Sequence, residues 1–128
     1  MPAKAIPEGY HSITPYLVVD DASGAIEFYK RAFGATEHMR MPMPDGKVAH
    51  AELRIGDSLV MVSESGPRPA TDAFLYLYVE DADATYRRAI AAGATSLEAP
   101  DDMPYGDRRA MVRDPAGNVW QLATFRRK

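Results

Sequence analysis

Tyr16-Leu17-Val18-Val19-Asp20-Asp21-Ala22 returns 60 residues later as Tyr76-Leu77-Tyr78-Val79-Glu80-Asp81-Ala82. A recurrence at fixed spacing is the mark of a duplicated unit. Two further matches extend it: Gly34-Ala35-Thr36 returns as Gly93-Ala94-Thr95 at an offset of 59, and Ser58-Leu59-Val60-Met61-Val62 lies opposite Asn118-Val119-Trp120-Gln121-Leu122 at 60. The chain therefore reads as two copies of a unit of about 55 residues, joined near Ser65-Gly66-Pro67-Arg68-Pro69, with the segment between the matched stretches one residue shorter in the second copy.

Each copy reads as strand, helix and three strands. Ile13 to Val19 alternates like a strand and runs into Asp20-Asp21, which caps a helix carrying Ala22, Ile26, Tyr29 and Phe33 on one face and ending at Gly34. Thr36 to Met41 is a second strand, followed by the turn Pro42-Met43-Pro44-Asp45-Gly46. Lys47 to Ile55 and Leu59 to Ser63 form a hairpin over Gly56-Asp57, where glycine supplies a positive φ. In the second copy the strand is Phe74 to Val79, and the helix runs from Ala82 to Ala92 behind Asp81. A short strand follows at Thr95 to Glu98, and a hairpin from Arg108 to Thr124 turns at Asp114-Pro115-Ala116-Gly117-Asn118. The expected architecture is α+β: one domain over 1–128, with βαβββ modules at 10–65 and 73–126 forming a curved, partly open mixed sheet with helices on the outside.

Strand parity assigns the two faces of this sheet. Pairing Ile55 with Ser58 sets Leu53 against Val60 and Ala51 against Val62, an apolar set suited to the helices. Ile13, Leu17, Val19, Leu75, Leu77, Val79, Trp120 and Leu122 join it. The opposite face receives Thr14, Tyr16, Val18, His50, Glu52, Arg54, Leu59, Met61 and Ser63 from the first copy, and Phe74, Tyr76, Tyr78, Val119, Gln121 and Ala123 from the second. That mixture of rings and polar groups suits a ligand cleft. It also suits packing against a second subunit or the other copy's sheet, and the sequence leaves these readings open.

Composition narrows the chemistry. With no cysteine there is no disulfide, thiolate nucleophile or Cys-ligated metal, so a metal would need histidine and carboxylate ligands. Fifteen basic against eighteen acidic residues give a net charge of −3, without the basic footprint of a nucleic-acid partner; the tail Arg126-Arg127-Lys128 reads as a solvated terminus. The longest apolar run, Ala73 to Val79, is too short to span a membrane. Pro2, Lys4 and Glu8 break a signal-peptide pattern, and a cytoplasmic location is expected. No phosphate loop, dinucleotide fingerprint or nucleophile elbow occurs.

The tandem βαβββ pattern carries Phe28-Tyr29-Lys30-Arg31-Ala32-Phe33-Gly34-Ala35, His50-Ala51-Glu52-Leu53-Arg54-Ile55-Gly56-Asp57-Ser58, Tyr105-Gly106-Asp107-Arg108 and Asp114-Pro115-Ala116-Gly117-Asn118-Val119-Trp120. These motifs resemble the vicinal oxygen chelate superfamily of glyoxalase I, bleomycin-resistance proteins and extradiol dioxygenases, with its PhnB-like branch as the nearest pattern. The superfamily holds isomerases, dioxygenases, thiol transferases and drug-sequestering antibiotic-resistance proteins, so the fold does not fix the function. The resemblance implies a homodimer, and it places the metal ligands of the family's enzymes at Thr14, Met61, Phe74 and Gln121. None of these four is a histidine or a carboxylate, so no metal and no other cofactor is expected.

The reading is a protein that sequesters a small apolar or aromatic molecule. Tyr16, Phe74, Tyr76, Tyr78 and Tyr105 form the walls, His50, Glu52, Arg54 and Gln121 orient the ligand, and Thr14 and Met61 stand at the inherited metal positions. The alternative is a lyase or isomerase with His50 and Glu52 as acid and base, with or without an unconventional divalent metal. His50 also fits a structural role, Glu52 an ion pair with Arg54 or another arginine, and Tyr105 the mere tip of a loop. His38 reads as a surface residue and Arg108 and Arg109 as cleft rim or plain hairpin surface; a displaced metal site would need His11 to reach in from before the first strand as a third ligand, which nothing in the spacing shows.

Overall fold

Residues 5–126 are described in a computed structural model. The elements run in the order β1 (Tyr16–Val19), α1 (Ala22–Phe33), β2 (Thr36–Pro42), β3 (Val48–Ile55), β4 (Ser58–Glu64), β5 (Phe74–Tyr78), α2 (Ala82–Ala91), β6 (Thr95–Asp102), β7 (Arg108–Arg113) and β8 (Val119–Thr124). The α+β class and the two βαβββ units stand as the repeat predicts. Pro2, Lys4, Arg127 and Lys128 lie outside the described residues; Arg126 is exposed and lies 3.8 Å from Asp102. No helix among the described residues is long and apolar enough to cross a membrane.

The strands form two sheets of four, ordered β1-β4-β3-β2 and β5-β8-β7-β6. In each, the first strand lies parallel to the last and the others pair antiparallel. Register repeats with the sequence offset: Tyr16 pairs with Met61 and Tyr76 with Gln121. Ile55 meets Ser58, Leu53 meets Val60 and Ala51 meets Val62, as parity requires.

Both helices start where an aspartate caps them. Asp21 accepts from the Gly24 amide and Asp81 from that of Ala84, each at 3.1 Å. At the far end of α1, Gly34 takes a left-handed φ of 68°, and its N–H closes on Lys30. α1 buries Ala22, Ile26, Phe28 and Tyr29, a stripe in which each large side chain contributes about 2 kcal/mol.

The structure sharpens the arrangement of the halves. α1 and α2 pack on each other, and Tyr29 and Phe33 of α1 pack at a tilt against Trp120 of β8 with ring centres 5.4 and 4.9 Å apart. One core thus joins the helix-covered faces of both sheets, including Leu17, Leu53 and Val62 from the first and Val112, Trp120 and Leu122 from the second. Asp114, buried in the β7–β8 turn, fastens it. It accepts from the Tyr29 hydroxyl at 2.6 Å and the Trp120 indole at 2.8 Å, and takes the amides of Ala116 and Asn118. Burial and this carboxylate hold the Tyr29 hydroxyl protonated far above its ordinary range.

Two boundaries and the cover of the open face differ from the sequence pattern. β1 begins at Tyr16, and Ile13, placed by alternation under the helices, is 87% exposed. Pro15 is the reason: it has no N–H to give a ladder, and its carbonyl takes the Met61 amide as the chain leaves the sheet. β6 runs on to Asp102 through register breaks on either side of Glu98 and before Asp101. Residues expected on the open face are buried where other segments cross them. Val18 is covered by the linker, whose Thr71 bonds its backbone, and Leu59 by the segment before β1.

Candidate functional site

The open face of the first sheet carries a chain of hydrogen bonds. His50 and Glu52 are two apart on β3 and share that face; His50 Nε2 stands 3.0 Å from Glu52 Oε2. The Tyr16 hydroxyl lies 3.2 Å from His50 Nδ1, with the two rings 5.7 Å apart. The Tyr10 hydroxyl donates to Glu52 Oε1. That bond, the half-burial of the carboxyl group and the His50 contact act on Glu52 together, and the net result is a carboxyl pKa below the usual range. Tyr10 responds in the opposite sense: burial first, then the Glu52 carboxylate, push its pKa up to about 12. With Glu52 ionised, Nε2 of a neutral His50 carries the proton facing it, leaving Nδ1 to accept from Tyr16.

Tyr10 belongs to a strap, residues 5–14, that crosses this face before β1. A Cβ on Gly9 would stand 3.2 Å from the Arg54 guanidinium and 3.5 Å from Leu59, which measures how closely the strap lies. Between strap and sheet is a pocket of about 420 Å³ lined by Tyr10, His11, Thr14, His38, Glu52 and Met61, with Ala5 to Glu8 and Ser12 along the strap side. His11 does reach in from before the first strand, and the exposed His38 stands at the pocket's edge. The ion pair between Glu52 and Arg54 does not form; Glu52 is bonded by Tyr10 and His50.

The second sheet presents a wall of tyrosines. Phe74, Tyr76 and Tyr78 alternate outward along β5, and the rings of Tyr76 and Tyr78 are 5.2 Å apart. Their hydroxyls donate to one oxygen of Asp107, at 2.7 and 2.9 Å, and the Tyr105 hydroxyl stands 3.1 Å from that of Tyr76. Asp107 is 1% exposed. Burial, with Tyr105 and Asp107 alongside, raises the Tyr76 pKa far above its ordinary value, so the hydroxyl stays a donor. Tyr105 is thus part of the wall rather than a free loop tip. Phe74, on the same strand, is 66% exposed and has no hydroxyl to join this network.

Gln121, paired with Tyr76, accepts from the Arg109 guanidinium at 2.6 Å, and Arg109 also binds Glu98. Arg108 is held by Asp83 at 3.0 Å and lies 3.4 Å from Asp102. Both arginines are half-buried and paired rather than plain hairpin surface. The sequence reading missed Tyr10 and Asp107 as site groups and left Arg109 open between cleft rim and hairpin surface.

The donor set at the inherited metal positions does not suit a divalent ion. Thr14 and Gln121 offer neutral oxygens, Met61 a soft thioether and Phe74 nothing, while the Gln121 oxygen already faces the Arg109 cation. The two pairs also sit on separate sheets. No group of three or more histidine, aspartate or glutamate side chains placed to hold a metal ion occurs among the described residues. A groove of about 700 Å³ lies at the seam lined by Phe33, Ile55, Leu77, Val79 and Phe125; of the predicted site residues it touches only Tyr78.

Comparison with known proteins places this geometry. A family profile described as the Glyoxalase/Bleomycin resistance protein/Dioxygenase superfamily matches residues 9–122. An uncharacterized protein of Mycobacterium bovis is 42% identical over 123 residues, which cover 87% of this chain and 81% of that protein. The crystal structure of TioX from Micromonospora sp. ML1 superposes with a TM-score of 0.77 at 29% identity, covering 89% of this chain and 98% of that one. The X-ray structure of an Arabidopsis thaliana gene product gives a TM-score of 0.73 at 26% identity, covering 89% and 98%.

Proposed function

We propose that this chain, which belongs to the glyoxalase/bleomycin resistance protein/dioxygenase superfamily, binds and sequesters a small apolar or aromatic molecule in a cleft that uses no metal. The observation that carries the reading is the tyrosine wall. Tyr76, Tyr78 and Tyr105 are held by hydroxyl bonds around the buried Asp107, while their rings stay exposed. Rings fixed in advance lose little freedom when a ligand stacks on them, which favours binding. Phe74 extends the wall, and Gln121 and Arg109 supply polar groups at its edge.

The other half contributes Tyr16, His50, Glu52, Arg54, Thr14 and Met61 on its own open face. In a homodimer the first face of one copy lies across from the second face of its partner, and the cleft is enclosed between them. Titration with planar aromatic dyes, followed by fluorescence, tests the reading, with sedimentation velocity for the dimer. Saturable binding that falls at least tenfold in Tyr76→Ala supports it; flat titrations across a varied panel overturn it.

A second reading rests on one observation, the chain Tyr16–His50–Glu52–Tyr10. A carboxylate that fixes one ring nitrogen leaves the other to exchange a proton through a hydroxyl, the arrangement of a general base. Under this reading the protein is a lyase or isomerase. Turnover of any carbonyl substrate that is lost in His50→Ala while dye binding persists would favour it over sequestration.

A further inference from the structure

We propose that the pocket beneath the N-terminal strap is a binding site for an organic cation, an ammonium group carried on an apolar body. The inference deepens the small-molecule reading by naming the charge of the ligand and the half of the molecule that takes it. The pocket has about 420 Å³ of space, room for a small organic molecule. One wall is the Glu52 carboxylate, whose side chain is 18% exposed, and the remainder comes from Tyr10, Thr14, Met61, His11 and His38 with a strap that adds the apolar Ala5 to Pro7 and a second acid, Glu8. Among the described residues, no lysine or arginine lines it. Arg54 packs under Gly9, outside the lining.

The charge of the occupant is set by Glu52. A molecule that fills the pocket strips the remaining water from that carboxylate, and a charge taken from water is costly unless it is paired. A neutral occupant leaves the cost standing, and an anion adds repulsion. A cation removes the cost, and the Tyr10 ring and the polarizable Met61 sulfur beside it also favour positive charge. The hydroxyl of Tyr10 and the ring of His50 each take one carboxylate oxygen, and each oxygen keeps a second lone pair for a cation.

The test compares benzyltrimethylammonium with its uncharged carbon isostere neopentylbenzene and with the anion phenylacetate, by NMR titration that follows the Met61 methyl and the tyrosine rings. The expected result is that the cation binds at least tenfold more tightly than either, shifts Met61 and Tyr10, and loses that preference in Glu52→Gln. Should Glu52→Gln not fold, His38→Lys places a positive charge at the exposed edge of the pocket and is expected to weaken the cation at least tenfold. Equal affinity for cation and isostere, a preference that survives both substitutions, or shifts confined to Tyr76 and Tyr78 would overturn the proposal. Failure here with intact dye binding at the tyrosine wall leaves the sequestration reading standing; loss of all binding removes both.

Discussion

Met43-Pro44-Asp45-Gly46-Lys47 and Met103-Pro104-Tyr105-Gly106-Asp107 are one turn made twice. In both, the glycine amide bonds the methionine carbonyl at 2.9 Å, and the methionine amide bonds the carbonyl of the last residue, at 2.7 and 2.8 Å. Both glycines take a positive φ, 88° and 107°, which residues with a Cβ rarely adopt. The side chains then part company. Asp45 and Lys47 are exposed, whereas Tyr105 and Asp107 turn onto the open face and organise the tyrosine wall. The first half takes its equivalent polar group, Tyr10, from the strap ahead of β1. A duplicated backbone therefore fixes where a site lies, and a few side chains at the turn or the strap decide its chemistry.

The comparison can be broken most severely through the element the halves share. Asp114→Ala leaves the Tyr29 hydroxyl, the Trp120 indole and two amides without their acceptor inside the common core, at a cost of about 4 kcal/mol. Calorimetry should show melting about 10–15 °C lower, with both faces losing ligand binding together. An unchanged melting temperature would mean that the halves are not joined through this carboxylate.

Asp107→Ala acts on one half alone. It removes the acceptor of Tyr76 and Tyr78, costs about 2 kcal/mol since water reaches both hydroxyls, and should abolish dye binding at the wall while the Tyr10 and His50 resonances stay in place. Tyr10→Phe is its counterpart in the first half, at about 1 kcal/mol. The pH dependence has a definite sign. Glu52 titrates lower folded than unfolded, so its contribution is complete above its ordinary value of about 4.5 and is lost as the pH falls through the folded value. Urea denaturation from pH 7 to pH 3 should show the wild type approaching Glu52→Gln in stability as the pH falls; a constant gap would remove the Tyr10–Glu52 bond from the account. Phe74→Ala has the smallest effect, within about 0.5 kcal/mol on an exposed ring, yet dye affinity should drop severalfold if the wall extends that far.

Legibility followed the range of the forces. Helix caps, the glycine turn and the strand pairing at Ile55 and Ser58 depend on neighbours within a few residues, and these were readable from the pattern. Ile13 was misplaced because alternation continues through Pro15 while the hydrogen-bond ladder does not. Within the site, the closeness of His50 and Glu52 followed from strand parity, but Tyr10 and Asp107 did not. Tyr10 arrives over 42 residues of chain separation, which no local pattern reports. Asp107 had a signal, the repeated Met-Pro-x-Gly turn, in which Lys47 is matched by an acid with a tyrosine two places before it.

Residue order and residue chemistry alone settle the duplication, the order of elements, the faces of the paired strands and the absence of metal-binding side chains at the inherited positions. These rest on periodicity and residue chemistry, which are local. Packing of the whole chain brings the helices together in one core beneath two separate sheets, lays a strap over the first face and gathers the tyrosines of the second around a buried carboxylate. Those depend on which distant groups lose water together, and burial is a property of the packed chain rather than of any stretch of it.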